Sequence, residues 1–172
     1  MGLRGSGKST LGRRLAEVLS CPFVDLDEVT AGVLGRASAA DALRELGEAA
    51  FRAGEAKALA DVRVLRAGVV SLGGGTPTGK AGSLLLHDRR LAGATLVYLR
   101  AEPPTLRSRL AATDVATRPS LTGADPLVEI EVVFARRDPL YLEIADEVIA
   151  VDGRGEDDVL AELLRIARAS GE

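Results

Sequence analysis

The 172 residues carry a formal net charge of −3, with 47% hydrophobic and 27% charged residues, the balance of a single globular domain long enough to bury a core. The charge argues against a polyanion binder, and no apolar run approaches a membrane span. A single cysteine, Cys21, rules out an intrachain disulfide and a cysteine zinc cluster and makes the cytoplasm the expected compartment.

The chain opens on Met1-Gly-Leu-Arg-Gly-Ser-Gly-Lys-Ser-Thr10, which fits G-x-x-x-x-G-K-[ST] at every fixed position. Glycines in such a loop let backbone N–H groups turn inward around a phosphate. Lys8 is placed to reach the β- and γ-phosphates, and the Ser9 hydroxyl to ligate Mg²⁺. The helix starting near Ser9 aims its positive end at the same anion. A phosphate-binding loop normally follows a strand, yet only Met1 precedes this one. The bland alternative is a glycine-rich turn opening a helix.

Leu11, Leu15, Ala16 and Leu19 recur at helical spacing over Ser9–Leu19, up to Pro22. Phe23–Asp27 reads as a short buried strand ending in acids, and 28–34 as a helix. Residues 38–66 read as two helices broken by Gly47 and Gly54. A strand is expected over 68–72, a loop over 76–82, a helix over 83–91, a strand over 95–99 and a helix over 103–112. Residues 113–125 read as a loop. A helix over 126–144 with a break at Pro139, a strand over 147–151 and a helix over 156–169 complete the chain. Strands alternating with helices predict an α/β fold, a parallel sheet covered on both faces in three layers. No internal repeat or linker appears, so 1–172 is expected to be one domain. Ligands of such folds bind beyond the carboxyl ends of the strands.

Several residue pairs fall at those ends. Asp25 and Asp27 suit Mg²⁺ water coordination and contact with an acceptor hydroxyl; alternatively, Asp27 caps the helix after it. Gly73, Gly74 and Gly75 follow a strand and permit close backbone approach to a ligand, or form a plain turn. Arg52 and Glu55 lie one helical turn apart and can pair. Arg118, in the 113–125 loop, is suited to closing over a transferring phosphoryl group, or stands in water. Of Arg136 and Arg137, at least one suits an anion, while Leu140 and Tyr141 read as core. His87, the lone histidine, reads as a surface residue. Only Lys8, Lys57 and Lys80 are lysine; arginine suits carboxylate and phosphate recognition, though base composition also explains the bias. No basic stripe with aromatics appears and only 3% of residues are aromatic, which argues against nucleic acid.

In order, these motifs resemble shikimate kinases: the phosphate-binding loop at 2–10, Asp-x-Asp at 25–27, Phe-Arg-x-x-Glu at 51–55, Gly-Gly-Gly at 73–75, Arg-Pro at 118–119, and Arg-Asp-Pro-Leu-Tyr at 137–141 with Ile-Ala-Asp at 144–146. The resemblance implies ATP- and Mg²⁺-dependent phosphorylation of the 3-hydroxyl of shikimate, a step toward chorismate and the aromatic amino acids. It implies that Gly5, Ser6, Gly7, Lys8, Ser9 and Thr10 hold the nucleotide, that Ser9 and Asp25 serve the metal, and that Asp27 binds the shikimate hydroxyls and accepts or orients the acceptor proton. It gives Arg52 and Arg137 the shikimate carboxylate, with Glu55 orienting Arg52. Gly73, Gly74 and Gly75 line the pocket. Arg118 reaches the phosphates, and Arg109 and Arg154 flank the adenine. Residues 28–62 become the substrate-binding helices and 113–125 the lid, in a monomer.

The family's five parallel strands run 2-3-1-4-5, so the absent first strand is the central one. The chain is therefore expected to be a shortened form, or to fold poorly. An apolar strand of about six residues added before Met1 is expected to raise melting temperature or activity. The rival readings are another small-molecule kinase of gluconate type and a kinase-like module that binds without turnover.

Overall fold

A computed structural model describes residues 1–62, 68–112 and 126–169. Arg118 and the whole 113–125 loop lie outside the described residues.

The first helix, α1 (Lys8–Leu19), begins where Gly7 turns the backbone to φ 89°, a conformation that favours glycine. It buries Leu11, Gly12, Leu15 and Ala16 on one face. Gly12 is small for a reason: a methyl group there would stand 2.9 Å from the Phe23 ring, so helix and strand pack backbone to ring. The strand β1 (Phe23–Asp25) pairs in parallel with β2 (Val69–Ser71), bringing Asp25 opposite Ser71. A second parallel pair joins β3 (Val97–Arg100) to β4 (Glu147–Ala150).

The described strands thus form two two-stranded sheets. If a first strand is counted, they are the outer pairs of the order 2-3-1-4-5. Residues 1–3 lie along the inner edge of β3. The Met1 amino group donates to the Val97 carbonyl at 2.6 Å, and the Leu99 N–H donates to the Met1 carbonyl at 2.9 Å. Met1 and Leu3 are buried. This short stretch makes strand-like contacts where the central strand was expected and delivers the phosphate-binding loop to the carboxyl end of β3.

Between the sheets' ends come α2 (Leu26–Val33), α3 (Ala39–Val62), a single 3₁₀ turn at Thr76–Thr78, α4 (Lys80–Leu91), α5 (Pro103–Ala111), α6 (Pro126–Ile144) and α7 (Glu156–Ala169). The first turn of α7 carries Glu156, Asp157 and Asp158 and its last turn Arg168, matching the helix dipole at both ends. Leu11 and Leu15 of α1, Leu26, Tyr98 and Leu99 of β3, Ile149 of β4, and Val159, Leu163 and Ile166 of α7 share one core. No helix among the described residues is long and apolar enough to cross a membrane.

Four expectations need correction. The β1 strand stops at Asp25, and α2 starts at Leu26 rather than 28, because Asp25 itself is the cap: its Oδ1 accepts from the Asp27 N–H at 3.0 Å. Asp27 is therefore a first-turn helical residue and caps nothing. The 38–66 stretch breaks at Gly47 (φ 79°, ψ 168°) but not at Gly54. Gly54 stays helical and buried because Leu34 of the neighbouring turn packs within 2.8 Å of where its side chain would be. Part of the expected 76–82 loop is helical, Thr76–Thr78 and the start of α4. Finally, α6 runs on through Pro139. The carbonyl that loses its helical donor there belongs to Ala135, an exposed residue whose oxygen water can satisfy.

Candidate active site

The site forms where the first loop, the end of β1 and the end of β2 meet. Asp25 divides its two oxygens: Oδ1 caps α2, while Oδ2 accepts from the Ser9 hydroxyl at 2.7 Å. Ser71, at the end of β2, lies 3.3 Å from the same hydroxyl. A hydroxyl and a carboxylate at the N-terminal end of α1 are hard oxygen donors. They suit Mg²⁺, which binds through one or two such groups together with phosphates and water. No cluster of three acidic, histidine or cysteine ligands occurs among the described residues, and a site of this kind needs none.

Because Asp25 does the capping, the Asp27 side chain points to the end of β2. A methyl group on Gly73 would come within 2.5 Å of Asp27 Oδ1 and 2.8 Å of Glu55 Oε1. The missing side chain at Gly73 is what lets the two carboxylates approach. Burial raises the Asp27 pKa above its ordinary value, Lys8 opposes the rise, and Asp25 and Glu55 add to it.

Glu55 is 3% exposed. It accepts from the Thr76 hydroxyl at 2.8 Å and from the Arg52 guanidinium. Arg52 also reaches Glu48 at 3.4 Å on the preceding turn. The Arg52 guanidinium lies across Gly75, where any side chain would collide with it. The Arg52–Glu55 pair walls a cavity of about 150 Å³ between α3, the Thr76 turn and the start of α4.

Gly74 completes the set. Its carbonyl accepts from Arg137 Nη1 at 2.7 Å and from the Tyr141 hydroxyl. Gly74 also lies close to the Gly2 carbonyl of the first loop. The three glycines thus form a strip with Asp27 and Glu55 at one position, Arg137 and Tyr141 at the next and Arg52 at the third. Arg136 is exposed, so of the two arginines it is Arg137 that reaches this strip.

The residues expected on the nucleotide side lie around the first loop and the start of α7. Gly5 and Gly7 have φ of 86° and 89°. Thr10 is exposed on the first turn of α1. Arg109 of α5 lies over the loop, 3.4 Å from the Gly5, Ser6 and Val151 carbonyls. Arg154 is held at the start of α7 by Glu162 at 2.6 Å and the Asp158 carbonyl at 3.1 Å. His87 is exposed and Cys21 half-buried.

Ser6 behaves differently from its neighbours. Its side chain is fully buried, and among the described residues its hydroxyl has no hydrogen-bond partner. It faces Gly2, where a methyl group would collide with it. Only the Ser6 backbone is presented to a ligand. Ser6→Ala is therefore expected to leave ADP release within about threefold and to stabilise the protein by about 1 kcal/mol, the scale of relieving an unpaired buried hydroxyl. A melting curve and a rate on the same sample check it; a large loss of rate would give the hydroxyl a direct role.

Sequence reasoning missed Ser71, Thr76 and Tyr141. Ser71 and Thr76 sit where a strand ends and a turn begins, the same kind of position as Asp25. Tyr141 is core, being fully buried. Its spacing of four from Arg137 nevertheless puts both on one helix face.

A model of the shikimate kinase family matches residues 4–168. The chain is 39% identical over 171 residues to a shikimate kinase of Rhodopirellula baltica, covering 98% of this chain and 89% of that one. It is 36% identical over 174 residues to a shikimate kinase of Symbiobacterium thermophilum, covering 100% and 96%. Among solved structures, shikimate kinase from Acinetobacter baumannii in complex with shikimate superposes with a TM-score of 0.82 at 27% identity, covering 98% of this chain and 90% of that one. That of Aquifex aeolicus superposes at 0.76 and 26% identity, with 99% and 95% covered. Family, sequence and fold agree over nearly the whole length: the chain belongs to the shikimate kinases, kinases of aromatic amino acid biosynthesis that use ATP.

Proposed function

We propose that this chain carries out its shikimate phosphorylation with Mg²⁺ and with the residues gathered along the glycine strip. The observation that carries the assignment is the strip itself: Gly73, Gly74 and Gly75 each face a different charged side chain, Asp27, Arg137 and Arg52. Two arginines and one aspartate around a bare backbone suit a small ring bearing one carboxylate and several hydroxyls. The shikimate bound to the Acinetobacter relative supports that reading.

In this assignment the N–H groups of the first loop and the positive end of α1 hold the ATP phosphates, and Lys8 offsets the charge on the β- and γ-groups. Ser9 would hold Mg²⁺ directly and Asp25 would hold it through water. When bound, Mg²⁺ neutralises charge on the phosphate oxygens. Arg52 and Arg137 grip the shikimate carboxylate, and Glu55 keeps Arg52 aimed. Asp27 accepts a hydrogen bond from the 3-hydroxyl and takes or orients its proton as the oxygen attacks the γ-phosphorus, while the bond from that phosphorus to the bridging oxygen breaks and ADP leaves. Its raised pKa suits proton acceptance better than that of an exposed carboxylate. Arg118 reaches the transferring group, and Arg109 and Arg154 flank the adenine. The protein acts as a single domain, 1–172, in monomeric form in the cytoplasm.

The test is ADP release from ATP and Mg²⁺ with shikimate, with gluconate and with neither. Release that requires shikimate is expected. Release with gluconate would overturn the substrate assignment, and nucleotide binding without release would favour a non-catalytic module.

A further inference from the structure

We infer that Tyr141 is a positioning residue for substrate binding: its hydroxyl holds the Gly74 carbonyl so that Arg137 can leave that carbonyl for the substrate's carboxylate. This rests on Arg137 being a carboxylate-binding residue, as proposed above.

A carbonyl oxygen accepts two hydrogen bonds, and at Gly74 both places are taken, by Arg137 Nη1 at 2.7 Å and by the Tyr141 hydroxyl. Arg137 is thus engaged with backbone. To grip a carboxylate it has to share or give up that bond. A carbonyl left with no donor in a half-buried place is costly, so the departure of Arg137 is inexpensive only if a second donor stays behind. Tyr141 is that donor, and it is built not to move. Its ring is fully buried and meets Tyr98 edge-on, centroids 5.1 Å apart. Tyr98 donates in turn to Asp138 Oδ1 at 2.8 Å, and Arg100 clamps Asp138 through Nε at 2.8 Å and Nη2 at 3.0 Å. Arg137, by contrast, is only half-buried. Burial also pushes the Tyr141 pKa up to about 12, so the hydroxyl remains a donor at any working pH. The arrangement pairs a fixed donor with an exchangeable one on a single acceptor.

The consequence is specific to one substrate. With Tyr141→Phe the ring packing is kept, but Arg137 becomes the sole donor to Gly74, and shikimate binding has to strand that carbonyl. The KM for shikimate is expected to rise about three- to tenfold, the worth of one hydrogen bond. The KM for ATP and kcat should stay within about twofold.

Arg137→Ala and the double variant complete a cycle. R137A alone is expected to raise the shikimate KM. In its background Gly74 has no donor to lose on binding, so Y141F should then change the shikimate KM by less than about twofold. A purely structural role for Tyr141 would instead lower kcat, affinity for both substrates and melting temperature together, with or without Arg137. An unchanged shikimate KM in Y141F, or an equal effect in both backgrounds, overturns the inference while leaving the Arg137 assignment intact. An unchanged shikimate KM in R137A overturns both.

Discussion

Asp27→Asn is expected to lower shikimate-dependent ADP release by about a hundredfold or more while raising the melting temperature of the ligand-free protein at pH 7. The two effects have one cause. Burial raises the Asp27 pKa above its ordinary 3.8 against the pull of Lys8 and Arg52, with repulsion from Asp25 and Glu55 adding to the rise. An acid with a raised folded-state pKa holds its proton in the folded protein over a pH range where the unfolded chain has already released it. The folded state then binds more protons, and stability falls as pH rises from 3.8 toward the folded value. Above that value the ionised carboxylate is a standing cost to the fold. D27N removes the charge at nearly constant shape, and so removes both the cost and the proton acceptor. The stability gap between D27N and the natural chain should close as pH drops below 3.8, where both forms are neutral at this position. Melting curves at pH 7 and at acid pH, with rates at pH 7, test this. A D27N protein that melts lower at pH 7, or keeps its rate, would falsify the account.

Glu55→Ala is expected to do the reverse to stability and also to harm activity. Glu55 is 3% exposed and receives both the Arg52 guanidinium and the Thr76 hydroxyl. Removing one member of a buried charged pair costs about 3–5 kcal/mol. The Arg52 side chain is 25% exposed, so water takes over part of its solvation. We therefore expect a loss on the order of 2–4 kcal/mol, or about 5–15 °C in melting temperature for a domain of this size. The shikimate KM should rise about tenfold or more as Arg52 loses its aim, since a hydrogen bond to a charged group is worth about 1.5–3 kcal/mol. Glu55→Gln separates the two losses. It keeps an acceptor for Thr76 but not the charge facing Arg52, so E55Q should recover part of the stability, about the worth of that hydrogen bond, but little of the affinity. Equal recovery of both would mean that Arg52 does not depend on Glu55 for its position.

Much of this site was legible because its spacing is set by backbone geometry. The loop from Gly2 to Thr10, Asp25 at the end of β1 with Asp27 just beyond it, and the glycines after β2 all fall where a parallel sheet presents its ligands. The pairing of Arg52 with Glu55 follows from helical periodicity. What sequence hid was decided by long-range packing. Whether Asp25 or Asp27 caps α2 depends on where the strand stops, and that is set by the pairing of Asp25 with Ser71. Gly47 and Gly54 look alike in sequence, yet only Gly54 has Leu34 pressed against it and so stays helical. Tyr141 has a core residue's ring and a polar tip that finds Gly74, 67 positions away. The pairing of residues 1–3 with β3 had no local signal at all.

The division of the strands into two sheets bears on how the molecule opens. Helix α1 contacts β1, β2 and α7, so it is packed against elements of both halves. Amide exchange should resolve two units, one built on β1, β2, α2 and α3, the other on β3, β4 and α7, coupled to each other through α1 and the shared core. Ligands would report on them unequally. If shikimate is held as proposed, by side chains from α2, α3 and α6 around the glycine strip, it should slow exchange chiefly in the first unit and in α6. A nucleotide, if held as proposed by the loop that leaves the edge of β3 and enters α1, should slow both and merge them into one transition. A kinase organised this way would gain its full cohesion only with ATP in place.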